Sequence, residues 1–83
     1  ENIFQDKSLP KILLVDDNLH LRSYLKKELD DEYNVLEAEN GAVGLSLALS
    51  ESPDIVITDI KMPVMNGIEL CNEIKQNNKT ILI

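Results

Sequence analysis

The residues best suited to chemistry are three aspartates, each of which comes directly after a short apolar run. Asp16 and Asp17 follow Lys11–Val15, and Asp59 follows residues 54–58. Oxygen ligands around an open position are what Mg²⁺ prefers, and a carboxylate beside such an ion can attack a phosphoryl group. If the three carboxylates meet, the sequence therefore favours metal-assisted phosphoryl transfer onto an aspartate.

Three short runs of mostly apolar residues indicate the strands that would bring these aspartates together. Lys11–Val15 is continuously apolar after its lysine, which is typical of a strand buried on both faces. Residues 33–38 are less uniformly apolar, so we expect this strand nearer to an edge of the sheet. Residues 54–58 are rich in β-branched side chains, which favour strands. A fourth strand is predicted to begin at Thr80.

Helices separate the strands, and each is indicated by apolar residues at helical spacing. The predicted boundaries are an N-cap at Asn18, a turn at Asn40-Gly41, a stop at Ser52-Pro53 and a last helix from Asn66 to about Gln76. The residues predicted to face the core are Leu21, Leu25 and Leu29 with Tyr24 beside them, then Ala42, Leu45, Ala48 and Leu49, then Ile68, Cys71 and Ile74. We expect three charged side chains of the first helix to face solvent, namely Arg22, Lys26 and Lys27.

This alternation of strands and helices predicts an α/β fold with a parallel sheet, right-handed crossovers and helices on both faces. Ligand sites in such folds lie beyond the carboxyl ends of the strands, where the strand order reverses. A strand order of 2-1-3 would make the first and third strands neighbours. Asp16, Asp17 and Asp59 would then converge at one edge of the sheet.

Plainer explanations exist for each of these residues when it is taken alone. An Asp-Asp pair after a strand is often a turn followed by a helix cap, and Asp59 by itself could simply end a strand. Like charges about 4 Å apart repel by roughly 4 kcal/mol at an effective dielectric of 20, so a cluster of three implies a protonated carboxyl or a bound cation. The sequence contains no Gly-rich phosphate loop, Ser-His-Asp arrangement or paired cysteines that would suggest another chemistry.

Composition fits one small domain and excludes several classes of protein. The 83 residues carry a formal net charge of −7 with 43% hydrophobic and 28% charged residues, which argues against a nucleic-acid surface. No apolar run approaches the roughly 20 residues of a membrane span, and no signal peptide is visible, so we expect a cytoplasmic domain without membrane contact. The single Cys71 is interpreted as a small buried residue, and His20 as a surface residue.

The residues that could do chemistry also carry a family resemblance. V-D-D at 15–17 and D-x-x-M-P-x-M-x-G at 59–67 resemble the receiver domain of two-component response regulators. The resemblance extends over Lys11 to Ile83, with residues 1–10 as a linker or leader. It implies a flavodoxin-like, doubly wound parallel sheet in the order 2-1-3-4-5, with the chain ending at the start of strand four.

The resemblance also implies a role for each residue of the site. Asp59 would accept a phosphoryl group from the phosphohistidine of a histidine kinase or phosphotransfer domain. Asp17 would bind Mg²⁺ directly, together with Asp59 and the backbone carbonyl of Lys61, while Asp16 would act through water or orient the ion. The domain would catalyse only its own phosphorylation and dephosphorylation, would not touch nucleic acid, and could form a homodimer.

Two family residues fall outside the printed sequence, and two other functions stay open. Receivers carry a Ser or Thr after strand four and a Lys after strand five, and neither is present before Ile83. A pseudo-receiver that only binds partners would be expected to lose an acidic residue. A Mg²⁺-dependent phosphatase with an aspartyl nucleophile would be expected to have Asp-x-Asp, whereas position 18 is Asn. The leader before strand one favours a receiver downstream of another domain, as in hybrid sensor kinases, with an expression tag as the alternative.

Overall fold

The computed structural model describes residues 9–77, which form three strands and three helices in strict alternation. The elements are β1 (Lys11–Val15), α1 (Leu19–Leu29), β2 (Asn34–Ala38), α2 (Gly41–Glu51), β3 (Ile55–Thr58) and α3 (Gly67–Asn77). The predicted strand at Thr80 and most of the predicted leader lie outside the described residues. No helix within residues 9–77 is long and apolar enough to cross a membrane.

The sheet is parallel and has the order β2-β1-β3, which confirms the predicted topology. β2 is at an edge of this sheet, as its mixed composition suggested. In the register of the central strand, Val15 pairs with Ala38 on one side and with Thr58 on the other. The carboxyl ends of all three strands therefore lie level with each other, at the same edge of the sheet.

The direction of the crossovers assigns the helices to the two faces of the sheet. The chain moves from β1 outward to β2 and then back across β1 to β3, so right-handed connections place α1 on one face and α2 on the other. α3 packs against α2. The core on that face is a cluster of buried side chains comprising Leu13, Val15, Ala38, Ala48, Val56, Leu70 and Ile74. Ile12 and Leu14 alternate with these along β1 and are also buried.

α2 faces the sheet with its smallest residues, and here the predicted helix face was partly wrong. Gly41, Gly44 and Ala48 are buried, whereas Leu49 is 46% exposed. A Cβ on Gly44 would lie 2.9 Å from a methyl carbon of Val15, so a larger residue would hold the helix away from β1. The close approach selects small residues for this face, and a pattern based on large apolar residues does not detect it.

The first and third helices also differ from the predicted faces. In α3, Leu70, Cys71 and Ile74 are buried, while Ile68 is 59% exposed because it lies two residues before Leu70 and so points the other way. In α1, no residue is fully buried, and Leu21 remains 44% exposed. The interpretations of Cys71 as buried and His20 as exposed are confirmed; burial raises the pKa of the Cys71 thiol, and the nearby Lys75 lowers it in part.

The helix caps are largely as predicted, with one change of role. The Asn18 side chain accepts a hydrogen bond from the Leu21 N–H at 3.1 Å, which makes it the N-cap of α1. Asn40 was predicted to form a turn with Gly41. Instead it caps α2 by accepting from the Val43 N–H at 2.9 Å, and Gly41 is the first residue of the helix.

Candidate functional site

The three aspartates singled out from the sequence come together at the carboxyl edge of the sheet. One carboxylate oxygen from each of Asp16, Asp17 and Asp59 lies within 4.8 Å of the other two. The strand ladder continues into them, because Asp59 N–H donates to the Val15 carbonyl at 3.0 Å and Asp16 N–H donates to the Ala38 carbonyl at 3.1 Å. The convergence therefore follows from the pairing of neighbouring strands.

Asp16 is the least exposed of the three. Its Oδ1 accepts from the Asn18 N–H at 2.8 Å, and its backbone carbonyl accepts from Nη1 of Arg22 at 2.6 Å. Asp16 is half-buried, whereas Asp17 and Asp59 are exposed. One carboxylate oxygen of Asp16 is thus held by the backbone of the loop after β1.

Asp59 is fixed in a similar way through one oxygen. Its Oδ1 accepts from the Ile60 N–H at 2.8 Å, and its backbone carbonyl accepts from the Thr58 hydroxyl at 2.9 Å. The three carboxylates border an open cleft of about 380 Å³ whose apolar wall is formed by Leu14, Leu21, Leu25 and Ile57. An ion or a small anionic group can therefore reach these oxygens from solvent.

The donor arrangement fits a hard divalent cation. Mg²⁺ takes oxygen ligands, keeps several waters and is usually held by one or two carboxylates together with a phosphate oxygen. Asp17 and Asp59 offer exposed carboxylates, and within residues 9–77 no hydrogen bond engages the Asp17 carboxylate. Lys61 is exposed in the loop after β3. That its backbone carbonyl binds the metal stays a prediction.

The loop that follows Asp59 is closed by hydrogen bonds at both of its ends. Gly67 N–H donates to the Ile60 carbonyl at 2.8 Å, which brings the start of α3 back to the end of β3. Asn66 and Glu69 form a reciprocal capping box: the Asn66 side chain accepts from the Glu69 N–H at 2.8 Å, and the Glu69 side chain accepts from the Asn66 N–H at 3.0 Å. The loop is therefore anchored to α3.

Gly67 is required by the space around it and not by its backbone dihedral angles. No glycine among the described residues has a positive φ. Instead, a Cβ on Gly67 would overlap the Asp59 carbonyl oxygen and lie 3.0 Å from the Ile60 Cα. The glycine allows the first turn of α3 to pack directly against the backbone of Asp59.

Val64 holds the strained part of this loop. Its φ is 76°, and the Met65 N–H donates to the Pro63 carbonyl at 2.8 Å across it. This is the bond of a γ-turn with a positive central φ, a rare and strained form, and a β-branched residue is especially unfavourable there. Val64 is also 79% exposed, so little packing compensates for the strain.

Replacing Val64 by glycine is expected to stabilise the domain by about 1 kcal/mol. Positive φ costs a non-glycine residue about 1–2 kcal/mol, and the greater freedom of glycine in the unfolded chain takes back about 0.5–1 kcal/mol. Chemical denaturation of Val64→Gly and the wild type would measure the difference. Val64→Thr keeps the β-branch and should match the wild type, and a Val64→Gly variant no more stable than Val64→Thr would contradict the strain.

Arg22, which borders the cleft, and its partner Glu37 are neighbours of the site that sequence reasoning missed. Arg22 was assigned to the solvent face of α1, but its side chain is only 12% exposed and its Nε donates to the Glu37 carboxylate at 3.0 Å. A signal was present in the sequence, because Arg22 lies just over one helical turn after the N-cap Asn18. Its guanidinium can therefore reach back to the loop that carries the acidic pair.

Comparison with known proteins decides the family. The family model of the response regulator receiver domain matches residues 12–83. The chain belongs to the response regulator receiver family. As a receiver domain of two-component response regulators, it has the fold that its sequence resemblance implied, and its three aspartates occupy the edge at which the strand order reverses.

Relatives of this receiver domain include both kinases and regulators. It is 44% identical over 80 residues to histidine kinase P4 of Formosa agariphila, covering 96% of this chain and 6% of the kinase. It is 43% identical over 76 residues to the transcriptional regulatory protein YdfI of Bacillus subtilis, covering 88% of this chain and 36% of that protein. The chain thus spans a small part of these relatives' own lengths.

Solved structures of receiver proteins superpose well on this one. The response regulator TrrA of Thermotoga maritima, solved in complex with Mg²⁺–BeF, is 40% identical with a TM-score of 0.82, over 88% of this chain and 64% of that one. Chemotaxis protein CheY4 of Vibrio cholerae is 32% identical with a TM-score of 0.83, over 88% and 65% of the two chains. These scores confirm the flavodoxin-like receiver fold.

Proposed function

We propose that Asp59 is the phosphoacceptor of this receiver domain and that it reacts with a phosphohistidine in a Mg²⁺-dependent step. The observation that carries the proposal is the approach of three carboxylate oxygens, from Asp16, Asp17 and Asp59, to within 4.8 Å of one another. Repulsion within such a group is relieved by a divalent cation, and TrrA, which is similar in structure, binds Mg²⁺ together with BeF.

The exposure and hydrogen bonds of the three aspartates support a different role in Mg²⁺ binding for each. Asp17 and Asp59 would bind Mg²⁺ directly, joined by the Lys61 carbonyl, because the Asp17 carboxylate is exposed and unbonded among the described residues. Asp16 would orient the ion through water, because it is half-buried whereas Asp17 and Asp59 are exposed. When bound, Mg²⁺ supplies positive charge that offsets the charge developing on the transferred group.

The hydrogen bond to Asp59 indicates which of its oxygens reacts. The Ile60 N–H holds Oδ1 at 2.8 Å, which leaves Oδ2 as the nucleophile. Oδ2 forms a bond to phosphorus as the bond from phosphorus to the histidine nitrogen of the donor breaks. The nitrogen keeps the electron pair and is protonated from solvent, and the product on Asp59 is an acyl phosphate. The domain needs no other nucleophile for this step.

The alternative functions have less support. A phosphatase of the Asp-x-Asp type would need an acidic second residue, whereas Asn18 uses its side-chain oxygen to cap α1 at 3.1 Å. A pseudo-receiver is not favoured, because Asp16, Asp17 and Asp59 are all present and adjacent.

The partners follow from the same chemistry. A histidine kinase or a phosphotransfer domain that bears phosphohistidine would supply the phosphoryl group, and the similarity to histidine kinase P4 is consistent with this donor. We further propose that this domain acts in the cytoplasm and contacts no nucleic acid itself, in keeping with its net charge of −7. The similarity to kinases and regulators alike is compatible with a parent chain of either kind.

Phosphorylation by a small-molecule donor tests this proposal. The full-length protein, incubated with acetyl phosphate and Mg²⁺, is expected to gain one phosphoryl group on this domain by mass spectrometry and to gain none when EDTA is present. Asp59→Asn should abolish the gain, whereas Asp31→Asn, at an exposed aspartate after α1, should leave it unchanged. Labelling of the Asp59→Asn domain at the wild-type level would exclude Asp59 as the acceptor.

A further inference from the structure

Arg22 joins three parts of the fold next to the acidic site. From α1, its Nη1 donates to the backbone carbonyl of Asp16 at 2.6 Å, and its Nε donates to the Glu37 carboxylate on β2 at 3.0 Å. The side chain is 12% exposed and borders the cleft of the three aspartates. A charged group that is this well covered and doubly bonded has little freedom to move.

The hydrogen bond from Arg22 to Asp16 orients the backbone of the loop after β1, which carries both Asp16 and Asp17. A hydrogen bond to the Asp16 carbonyl fixes the plane of the peptide between Asp16 and Asp17. Among residues 9–77, the other hydrogen bonds of Asp16 are with backbone groups: its N–H donates to the Ala38 carbonyl and its Oδ1 accepts from the Asn18 N–H. Arg22 is therefore the side chain that holds this peptide group. The carbonyl that it binds belongs to Asp16, the residue directly before Asp17.

The charge of Arg22 and its hydrogen bond to Asp16 would have opposite effects on the affinity for Mg²⁺. Within residues 9–77, the ion pair of Arg22 is with Glu37 and not with any of the three aspartates. By Coulomb's law alone, a positive charge beside the cleft repels a divalent cation, so removing it should tighten Mg²⁺ binding. If Arg22 instead serves to hold the Asp16–Asp17 peptide, removing it should weaken binding. The two effects predict opposite signs.

We propose that Arg22 is a positioning residue for the Mg²⁺-binding carboxylates and that it acts through the Asp16 carbonyl. This inference rests on the proposed function, since it requires that Asp17 and Asp59 bind the ion. Removing partners that orient metal ligands typically weakens metal affinity by about 10–100-fold. The holding effect of Arg22 outweighs its charge, and the domain loses affinity when the side chain is removed.

Calorimetric titration of the full-length protein with Mg²⁺ measures this effect without any phosphorylation. Arg22→Met keeps the bulk of the side chain and removes its donors, and it is expected to weaken Mg²⁺ binding about tenfold. Arg22→Lys keeps the charge but not the two-pronged geometry, so it should recover only part of the affinity. Lys26→Met is the matched control: it removes one positive charge from the same helix together with an exposed ion pair to Asp30, and it should bind Mg²⁺ as the wild type does.

The controls separate a failure of this inference from a failure of the proposed function. The heat of Mg²⁺ binding at the proposed site is the part of the titration signal that disappears in the Asp17→Asn variant. If the wild type shows no such heat, the proposed metal site is wrong and the role of Arg22 falls with it. If the wild type binds but Arg22→Met binds equally or more tightly, only the role of Arg22 is overturned. Amide hydrogen exchange of β1 shows whether each variant is folded. If Arg22→Met does not fold, Arg22→Lys provides the test, and Mg²⁺ affinity of Arg22→Lys equal to that of the wild type would overturn the proposal.

Discussion

The Asp17→Asn variant is expected to lose Mg²⁺ binding and phosphorylation and yet to fold more stably than the wild type when divalent ions are absent. Asp17 lies within 4.8 Å of carboxylate oxygens of both Asp16 and Asp59. Each pair of like charges at this range costs about 1 kcal/mol in a water-like dielectric, so neutralising Asp17 should stabilise the metal-free domain by about 1–2 kcal/mol.

Amide hydrogen exchange of β1 in the full-length protein measures this change in EDTA and again in saturating Mg²⁺. In Mg²⁺ the order should reverse, because the wild type gains binding energy that the variant lacks. Asp31→Asn is the control for the loss of one exposed negative charge, and it should show neither change. A metal-free Asp17→Asn domain that is less stable than the wild type would mean that the three carboxylates do not repel one another as their distances imply.

The Gly67→Ala variant is expected to lose about 2–3 kcal/mol of folding free energy and to phosphorylate more slowly than its loss of stability explains. An added Cβ would overlap the Asp59 carbonyl oxygen and lie 3.0 Å from the Ile60 Cα. Both neighbours are backbone atoms, which cannot rotate away as the end of a side chain could. Overpacking of this kind typically costs about 1–3 kcal/mol, and relief of the overlap requires the backbone of Asp59 or the first turn of α3 to shift.

Gly44→Ala provides the comparison for this prediction. Its added Cβ would meet a methyl carbon of Val15 at 2.9 Å, which belongs to a side chain in the core and not to the backbone of an aspartate. Alanine also favours the helix by about 1 kcal/mol relative to glycine, so this variant should lose less stability and phosphorylate at the wild-type rate. Initial rates with acetyl phosphate, measured where both variants are fully folded, would reveal the difference. Equal rates in both variants would contradict the coupling of Gly67 to Asp59.

The strands and their parallel arrangement could be predicted from simple regularities of the sequence, whereas the strand order was implied by the family resemblance. Continuous apolar runs such as Lys11–Val15 mark buried strands, and right-handed crossovers leave few topologies. The order β2-β1-β3 then places residues after β1 beside residues after β3. The juxtaposition of Asp16 and Asp17 with Asp59 is thus a consequence of the fold, and it needs no knowledge of side-chain packing.

What could not be predicted depends on close contacts between residues that are distant in sequence. The inward face of α2 carries Gly41, Gly44 and Ala48, and Gly44 is required there because Val15 lies so close to it. The strain at Val64 appears only once the γ-turn bond is seen. Arg22 was assigned to solvent because its charge favours exposure, although Glu37 on another strand and the Asp16 carbonyl draw it inward. Helical periodicity places Arg22 one turn after Asn18, but it does not identify a partner on another strand such as Glu37.

The site of phosphorylation tests the central claim most directly. After reaction with acetyl phosphate and Mg²⁺, reduction with borohydride converts a phosphorylated aspartate into homoserine, which peptide mass spectrometry locates in the chain. We expect the modified residue of this domain to be Asp59, and we expect no modification when Mg²⁺ is withheld. Modification at Asp16 or Asp17 in place of Asp59, or equal modification of Asp59 in EDTA, would contradict this claim.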